Sequence, residues 1–333
     1  MLKVQENILV DGSDEKSNMV LVTGANGFIG KALIRQLYLK NIPVRGLTRY
    51  ELASPVESIV YVPVGELDGE TQYANSLSGV KTIIHTAARV HVMNDALLDP
   101  LTEYRKVNTN GTLNLARQAV AAGVKRFIFL SSIKVNGEFT LGDQRFCPND
   151  SCSPKDPYAQ SKYEAEQGLI ALSKEENIEV VIIRPPLVYG PGVKANFVSM
   201  VKWAGRGIPL PLGSVVNRRS FVALDNLVDL IILCINHPKA ANQIFLVSDG
   251  EDISTPELIR KTARAFSKNP ILFPVPVRLM TAVLKLLGKD SIAKRLFASL
   301  RIDSGKTREL LGWVPIVKMD EQLKILADKY FVE

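Results

Sequence analysis

The stretch Met19-Val20-Leu21-Val22-Thr23-Gly24-Ala25-Asn26-Gly27-Phe28-Ile29-Gly30-Lys31 decides how this chain is read. A short apolar run ends at a glycine-rich turn. Apolar residues at helical spacing then follow: Leu33, Ile34, Leu37 and Tyr38. Strand, tight turn and amphipathic helix make the opening unit of a parallel α/β sheet. The glycines have separate uses. One permits the turn, one lets backbone approach a pyrophosphate, and one lets the helix pack on the strand. The helix N-terminus beyond them presents unpaired N–H groups and a positive dipole end to phosphate. Thr23, Gly24, Asn26, Gly27, Phe28, Ile29 and Gly30 are therefore candidate dinucleotide-binding residues.

Working outward, the same alternation repeats. Residues 44–47, 82–85, 126–130 and 179–183 read as strands, and 31–40, 113–122 and 163–173 as helices. Alternation of this kind predicts a doubly wound parallel sheet, a Rossmann-type α/β fold. Its right-handed connections bring all strand C-termini to one edge, where ligands bind. After Arg184 the texture changes. Pro185, Pro186, Gly190, Pro191 and Gly192 interrupt the pattern, as do Pro209, Pro211 and Gly213. Residues 256–266, 277–287 and 306–311 then read as helices of a smaller, mixed C-terminal lobe. The expected organisation is a flexible N-terminal arm over 1–18, an NAD(P)-binding domain over 19–184 plus about 221–250, and a second lobe from 185–220 and 251–333.

Composition narrows the class. Hydrophobic content of 46% is ample for a core, while no apolar run approaches the roughly 20 residues that span a bilayer. Asp11, Gly12, Ser13, Asp14 and Glu15 stand where a signal peptide would be apolar. Cys147, Cys152 and Cys234 show no metal-ligand or secreted-framework spacing, and there are three histidines in all. The expectations are a cytoplasmic setting and no metal. The net charge of +7 is scattered, without basic blocks or interleaved aromatics, so nucleic acid is not expected. An anionic small substrate is the better use of it. The stretch from Arg278 to Arg301 sets Lys285, Lys289, Lys294 and Arg295 beside Leu279, Met280, Leu284 and Leu287. An ordinary lobe helix accounts for it, with a helix lying on a membrane surface as the alternative.

Tyr158 and Lys162 stand four apart, which on a helix places both side chains on one face. A phenol with pKa near 10 is a poor acid–base at neutral pH unless a cation steadies its phenolate. Lys162 can supply that charge and can also reach a nicotinamide ribose. Ser132, with Ser131 beside it, ends the strand before, where a hydroxyl can orient a substrate oxygen toward Tyr158. At the end of the second strand Thr48 and Arg49 stand where NAD enzymes carry a carboxylate, and the first acid is Glu51. A guanidinium suits a 2′-phosphate, so NADP(H) is expected in preference to NAD(H), which the loop could also take.

Glycines spaced by three and three, the strand-end serine and the Tyr-Lys helix together resemble the short-chain dehydrogenases/reductases. From Met19 onward the likeness is to the extended, nucleotide-sugar branch, the NAD-dependent epimerase/dehydratase family. That resemblance implies a nicotinamide-dependent enzyme with Ser132, Tyr158 and Lys162 as its catalytic trio. It implies cofactor contacts from Glu66 and Leu67, from Thr86, Ala87 and Ala88, from Asn108 in Asn108-Thr109-Asn110-Gly111-Thr112, and from Pro185. It also implies that the second lobe binds a UDP-sugar, with Ser131, Asn196 and Arg219 facing substrate and Arg219 gripping the diphosphate. A homodimer is a common assembly in the family.

Departures from the family pattern narrow the reaction. Ile133-Lys134 replaces the Asp-Glu pair of the 4,6-dehydratases, and Asn136 stands where many epimerases have tyrosine. Residues 131–138 and 295–303 resemble bacterial O-antigen reductases of UDP-2-acetamido-2,6-dideoxy-4-hexulose. The resemblance thus implies NADPH-dependent reduction of the C4 keto group of a UDP-linked 4-keto-6-deoxy-N-acetylhexosamine. A UDP-hexose or UDP-N-acetylhexosamine 4-epimerase with bound NAD is the alternative, and a non-catalytic NADP-binding regulator comes third.

Overall fold

The computed structural model describes residues 18–53, 59–90, 99–152, 154–193 and 209–330. The quoted opening stretch forms strand β1 (Met19–Thr23) and helix α1 (Phe28–Leu39). It is followed by β2 (Val44–Thr48), β3 (Val60–Pro63), α2 (Ala74–Leu77) and β4 (Val80–His85). Helix α3 (Pro100–Tyr104) runs through a π-helical stretch, Arg105–Gly111, into α4 (Thr112–Ala121). Then come β5 (Arg126–Leu130), α5 (Pro157–Glu175), β6 (Glu179–Arg184), β7 (Leu187–Tyr189), β8 (Arg219–Ala223), α6 (Leu224–Asn236), β9 (Gln243–Leu246) and β10 (Asp252–Ile253).

Among the described residues seven strands form one sheet in the order β3-β2-β1-β4-β5-β6-β9, every neighbouring pair parallel. The order reverses between β1 and β4, and that switch point opens the crevice of a doubly wound fold. Alternate side chains sort to the two faces with the period of two that a strand imposes. Val20, Val22, Ile128 and Val181 pack with α1 and α6 on one face. Leu21, Ile83, Phe127 and Val180 pack with α4 and α5 on the other. Leu33 and Leu37 of α1 are wholly buried, each worth about 1.5–3 kcal/mol in burial, which fixes that helix and the loop before it.

The second part is a three-stranded mixed sheet, β10-β8-β7, in which β8 runs antiparallel to β10 and parallel to β7. Helices α7 (Thr255–Ala265), α8 (Val277–Leu286), α9 (Asp290–Phe297), α10 (Gly305–Leu311) and α11 (Met319–Tyr330) follow.

The chain crosses between the two parts differently from the sequence reading at two places. Residues 221–223, assigned above to the larger domain, belong to β8, where Phe221 pairs with Leu187. Leu311 and Trp313, assigned to the lobe, join the core beneath α1 and α6. The reason is polar as well as apolar. The Trp313 indole N–H is buried and needs an acceptor, and Asp229 of α6 supplies it at 3.0 Å.

Candidate active site

The loop after β1 is tight enough that its glycines are obligatory. A Cβ on Gly30 would lie 2.1 Å from the Gly24 carbonyl oxygen, and one on Gly24, whose φ is +64°, would lie 2.9 Å from the Ala87 amide. The Ala25 N–H donates to Leu47 O, which ties the loop to the end of β2, and exposed Arg49 follows directly on that strand. Helix α1 starts at Gly27 with no side-chain cap and no acidic residue in its first turn. Its leading N–H groups are left for an anion, so the loop fits a dinucleotide pyrophosphate. Asn26 is exposed there, and Phe28 and Ile29 are half-buried.

The next strand end locks onto this loop through buried polar groups. Thr23 Oγ1 and His85 Nδ1 are 2.8 Å apart, and His85 Nε2 and Thr112 Oγ1 are 2.9 Å apart. Thr86 Oγ1 donates to Thr23 O, and the Ala87 N–H donates to Thr23 Oγ1. His85 lies against Phe127 and Phe129, and burial pushes its pKa down to about 3 with a further push from Lys162. It is a neutral bridge. Leu67 lends its backbone to the close approach of Gly111, and Glu66 is exposed on the rim, 3.7 Å from Lys106.

Asn108 sits in the π-helical stretch and is 1% exposed. Its amide accepts from Arg89 N and donates to Arg89 O and to Ser161 Oγ, while Thr109 Oγ1 donates to Ser161 O. Ser161 Oγ in turn donates to Tyr158 O. These bonds give Asn108 a supporting place beneath the site. Its polar atoms are engaged within the protein, and it braces the turn that carries Tyr158 and Lys162.

Helix α5 begins at Pro157, capped by Asp156, whose carboxylate accepts from Ala159 N at 2.9 Å. The Tyr158 phenol is raised to about 12, chiefly by burial and then by Asp156, against the pull of a hydrogen bond from Ser132. Lys162 is 1% exposed with its Nζ 4.0 Å above the Phe129 ring, and burial lowers its pKa to about 7 although Glu166 draws it up. The trio therefore meets at the C-terminal edge of β5. The phenol's hydrogen-bond partner is Ser132, whereas Lys162 rests on Phe129.

Ser132 is half-buried and also accepts from Lys134 N at the start of a short 3₁₀ turn. Ser131, read as a substrate contact, is only 4% exposed and its hydroxyl has no hydrogen-bond partner among the described residues. Strand alternation sends the two neighbours to opposite sides, which leaves Ser132 as the accessible one. Pro185 is buried, and its carbonyl accepts from Ile133 N. Arg219 is half-buried on β8, donates to Ala298 O at 2.9 Å, and has no acidic partner among the described residues. Asn196 lies outside the described residues.

Sequence reasoning passed over Glu166 and gave His85, Lys134 and Asn136 no part in this scaffold. His85 closes the strand expected over 82–85, and a histidine at the end of a buried apolar run is itself a signal. Glu166 stands four residues after Lys162 on the same helix face and pairs with Arg184, both fully buried. Lys134 reaches Asp156 at 3.2 Å and lies 5.9 Å from the Tyr158 ring centroid, with Tyr104 edge-on to the same ring. Asn136 accepts from Arg184 and donates to Cys147 O, so its amide is engaged in this scaffold. Among the described residues no group of three or more His, Cys, Asp or Glu is arranged to hold a metal ion.

A glycine loop at the switch point, with Ser, Tyr and Lys gathered at the next strand end, defines a nicotinamide-dinucleotide enzyme. The profile of the NAD dependent epimerase/dehydratase family matches residues 20–248, and the chain belongs to that family, the extended short-chain dehydrogenases/reductases. It is 47% identical over 321 residues to a UDP-glucose 4-epimerase of Vibrio cholerae, covering 96% of this chain and 97% of the relative. The fold is similar to MoeE5 in complex with UDP-glucuronic acid and NAD, with a TM-score of 0.76 at 24% identity, covering 95% and 99% of the two chains. It is also similar to RMD from Pseudomonas aeruginosa complexed with NADPH, with a TM-score of 0.69 at 22% identity, covering 95% and 100%.

Proposed function

We propose that the protein works at C4 of a UDP-linked sugar as an NADPH-dependent reductase. Its substrate in this reading is a UDP-linked 4-keto-6-deoxy-N-acetylhexosamine, made in the cytoplasm for a bacterial surface polysaccharide such as O-antigen. The observation that carries the reading is the end of β2. Exposed Arg49 follows directly on β2, whose end is tied to the phosphate loop through the Ala25 N–H and Leu47 O, and β2 itself has no carboxylate to hold a ribose 2′-hydroxyl.

The residues divide the work as follows. Gly24, Gly27 and Gly30 hold the pyrophosphate, and Arg49 takes the 2′-phosphate. The cofactor, when bound, supplies the hydride to C4. Ser132 fixes the 4-oxygen by hydrogen bonding. Tyr158, held protonated at neutral pH by burial, gives that oxygen its phenolic proton. The phenolate left behind is in a poorly solvated place, and the charge of Lys162, with Lys134 across the ring, offsets it. Arg219, desolvated and without an acid partner among the described residues, takes the substrate diphosphate in this reading.

A 4-epimerase with bound NAD is the second reading. The Vibrio cholerae relative's name favours it. So does Asn136, whose engagement with Arg184 and Cys147 removes one argument against it. The same trio would then return hydride to the opposite sugar face. A silent NADP-binding regulator ranks last because the sequence keeps all three members of the trio.

Cofactor stoichiometry separates the first two. The keto sugar should oxidise NADPH mole for mole, and Tyr158→Phe should abolish turnover while cofactor still binds. Interconversion of UDP-glucose and UDP-galactose without added cofactor, and no NADPH loss with the keto sugar, would assign the protein to the epimerases.

A further inference from the structure

Helix α8 is turned inside out relative to an ordinary lobe helix. None of its ten residues is buried. Val277 and Met280 touch a small core of Leu210, Leu212, Ile259 and Ala263, and both are only half-buried. Leu279, Val283 and Leu286 follow one another at i, i+4 and i+7, the spacing of a core stripe, yet they are 57%, 50% and 90% exposed. Nearby Ile271, Phe273, Leu287 and Ile292 are exposed as well. Large exposed apolar clusters of this kind mark contact surfaces.

The charge around the cluster is mainly of one sign, with Asp290 at the head of α9 the acidic exception. Arg278, Lys285, Lys289, Lys294 and Arg295 are all exposed, and none makes an ion pair among the described residues. Between Lys268 and Lys289 the chain has no acidic residue at all. Gly288, at φ +66°, turns the chain from α8 into α9, and the two helices, each carrying exposed basic residues, pack against one another.

We propose that α8 and the turn after it seat the protein on an anionic phospholipid surface. Leu279, Val283 and Leu286 enter the headgroup boundary, and the lysines and arginines meet lipid phosphates from the rim. At ten residues α8 lies in the interface, and among the described residues no helix is long and apolar enough to cross a membrane. A second copy of the chain is disfavoured as occupant. A two-fold contact through this patch would set the same uncompensated cations against one another.

Sedimentation of the full-length protein with phosphatidylcholine vesicles, with and without phosphatidylglycerol, tests the proposal. The protein should pellet with the phosphatidylglycerol vesicles, remain in the supernatant with phosphatidylcholine alone, and be released by salt. Leu279→Asp/Leu286→Asp changes only exposed positions, so its melting temperature should hold while partitioning falls by about tenfold or more. Should that variant fold poorly, Arg278→Gln/Lys285→Gln/Lys289→Gln leaves the apolar face intact and should reduce binding to the anionic vesicles by about tenfold. Protein left in the supernatant throughout, or equal binding to neutral vesicles, overturns the idea. Pelleting unaffected by either variant overturns it too, as does a dimer that the aspartate variant dissociates in the absence of vesicle binding.

Discussion

Replacing Glu166 by glutamine removes one charge from a pair that water does not reach. Glu166 is 0% exposed and Arg184 2%, and the guanidinium grips the carboxylate through Nε at 2.9 Å and Nη2 at 2.5 Å. Glutamine keeps one acceptor but sets an amide N–H₂ against the guanidinium. Arg184 retains the Asn136 carbonyl oxygen at 2.9 Å and the Cys152 sulfur at 3.4 Å, neither of which carries a compensating charge in the thiol form. A buried charge stripped of its partner costs about 3–5 kcal/mol. With an unfolding entropy of about 2.1 cal/mol/K per residue, that is a fall in Tm of about 4–7 °C for a chain of 333 residues. Calorimetry at pH 7 reads it directly. The double variant Glu166→Leu/Arg184→Met should recover most of the loss, because two apolar side chains leave no orphaned charge. The Glu166 charge also raises the pKa of Lys162, so in Glu166→Gln the limb of the pH–rate profile set by Lys162 should move to lower pH. A Tm within about 1 °C of the parent protein, or a double variant worse than the single one, would refute the account of this pair.

Three further outcomes follow from the site. In Gly30→Ala the new methyl would sit 2.1 Å from Gly24 O, so the phosphate loop must move; dinucleotide affinity measured by fluorescence should fall by more than tenfold, on the scale of the roughly 1–3 kcal/mol that overpacking costs. In Lys162→Met activity should vanish, yet the protein should gain stability at pH 7. The folded-state pKa of Lys162, about 7, is below its ordinary 10.5, so the unfolded chain holds that proton more tightly. The cost of burying it grows as pH falls from about 10.5 to about 7 and is constant below, on the order of 3–5 kcal/mol. The gain in Tm should therefore shrink as pH rises toward 10 and be flat below 7. In Arg49→Asp, NADPH binding should weaken by about 1.5–3 kcal/mol, roughly 10- to 150-fold, with NADH little changed, as titration calorimetry with both cofactors would show.

The loop from Thr23 to Gly30 and the alternation around it were enough to read the large sheet, because period-two and helical spacings are local properties that survive in a bare sequence. The same holds for the pair Tyr158 and Lys162, whose common face follows from a spacing of four on one helix. The boundaries were less legible. The apolar spacing over 163–173 marks only the later part of α5, which begins at Pro157, because its first turns carry site residues in place of an apolar stripe.

Contacts between segments far apart in the chain could be settled only in three dimensions. Asn108 bonds Ser161 across 53 residues, and only the fold shows which turn it braces. Trp313 reaches Asp229 across 84 residues and draws a stretch of the C-terminal region into the first core. Whether Arg184 faces a ligand or Glu166, and whether Leu286 faces a core or solvent, depends on what the fold places opposite each side chain. Sequence spacing determines which residues share a face. Only the tertiary structure decides what that face meets.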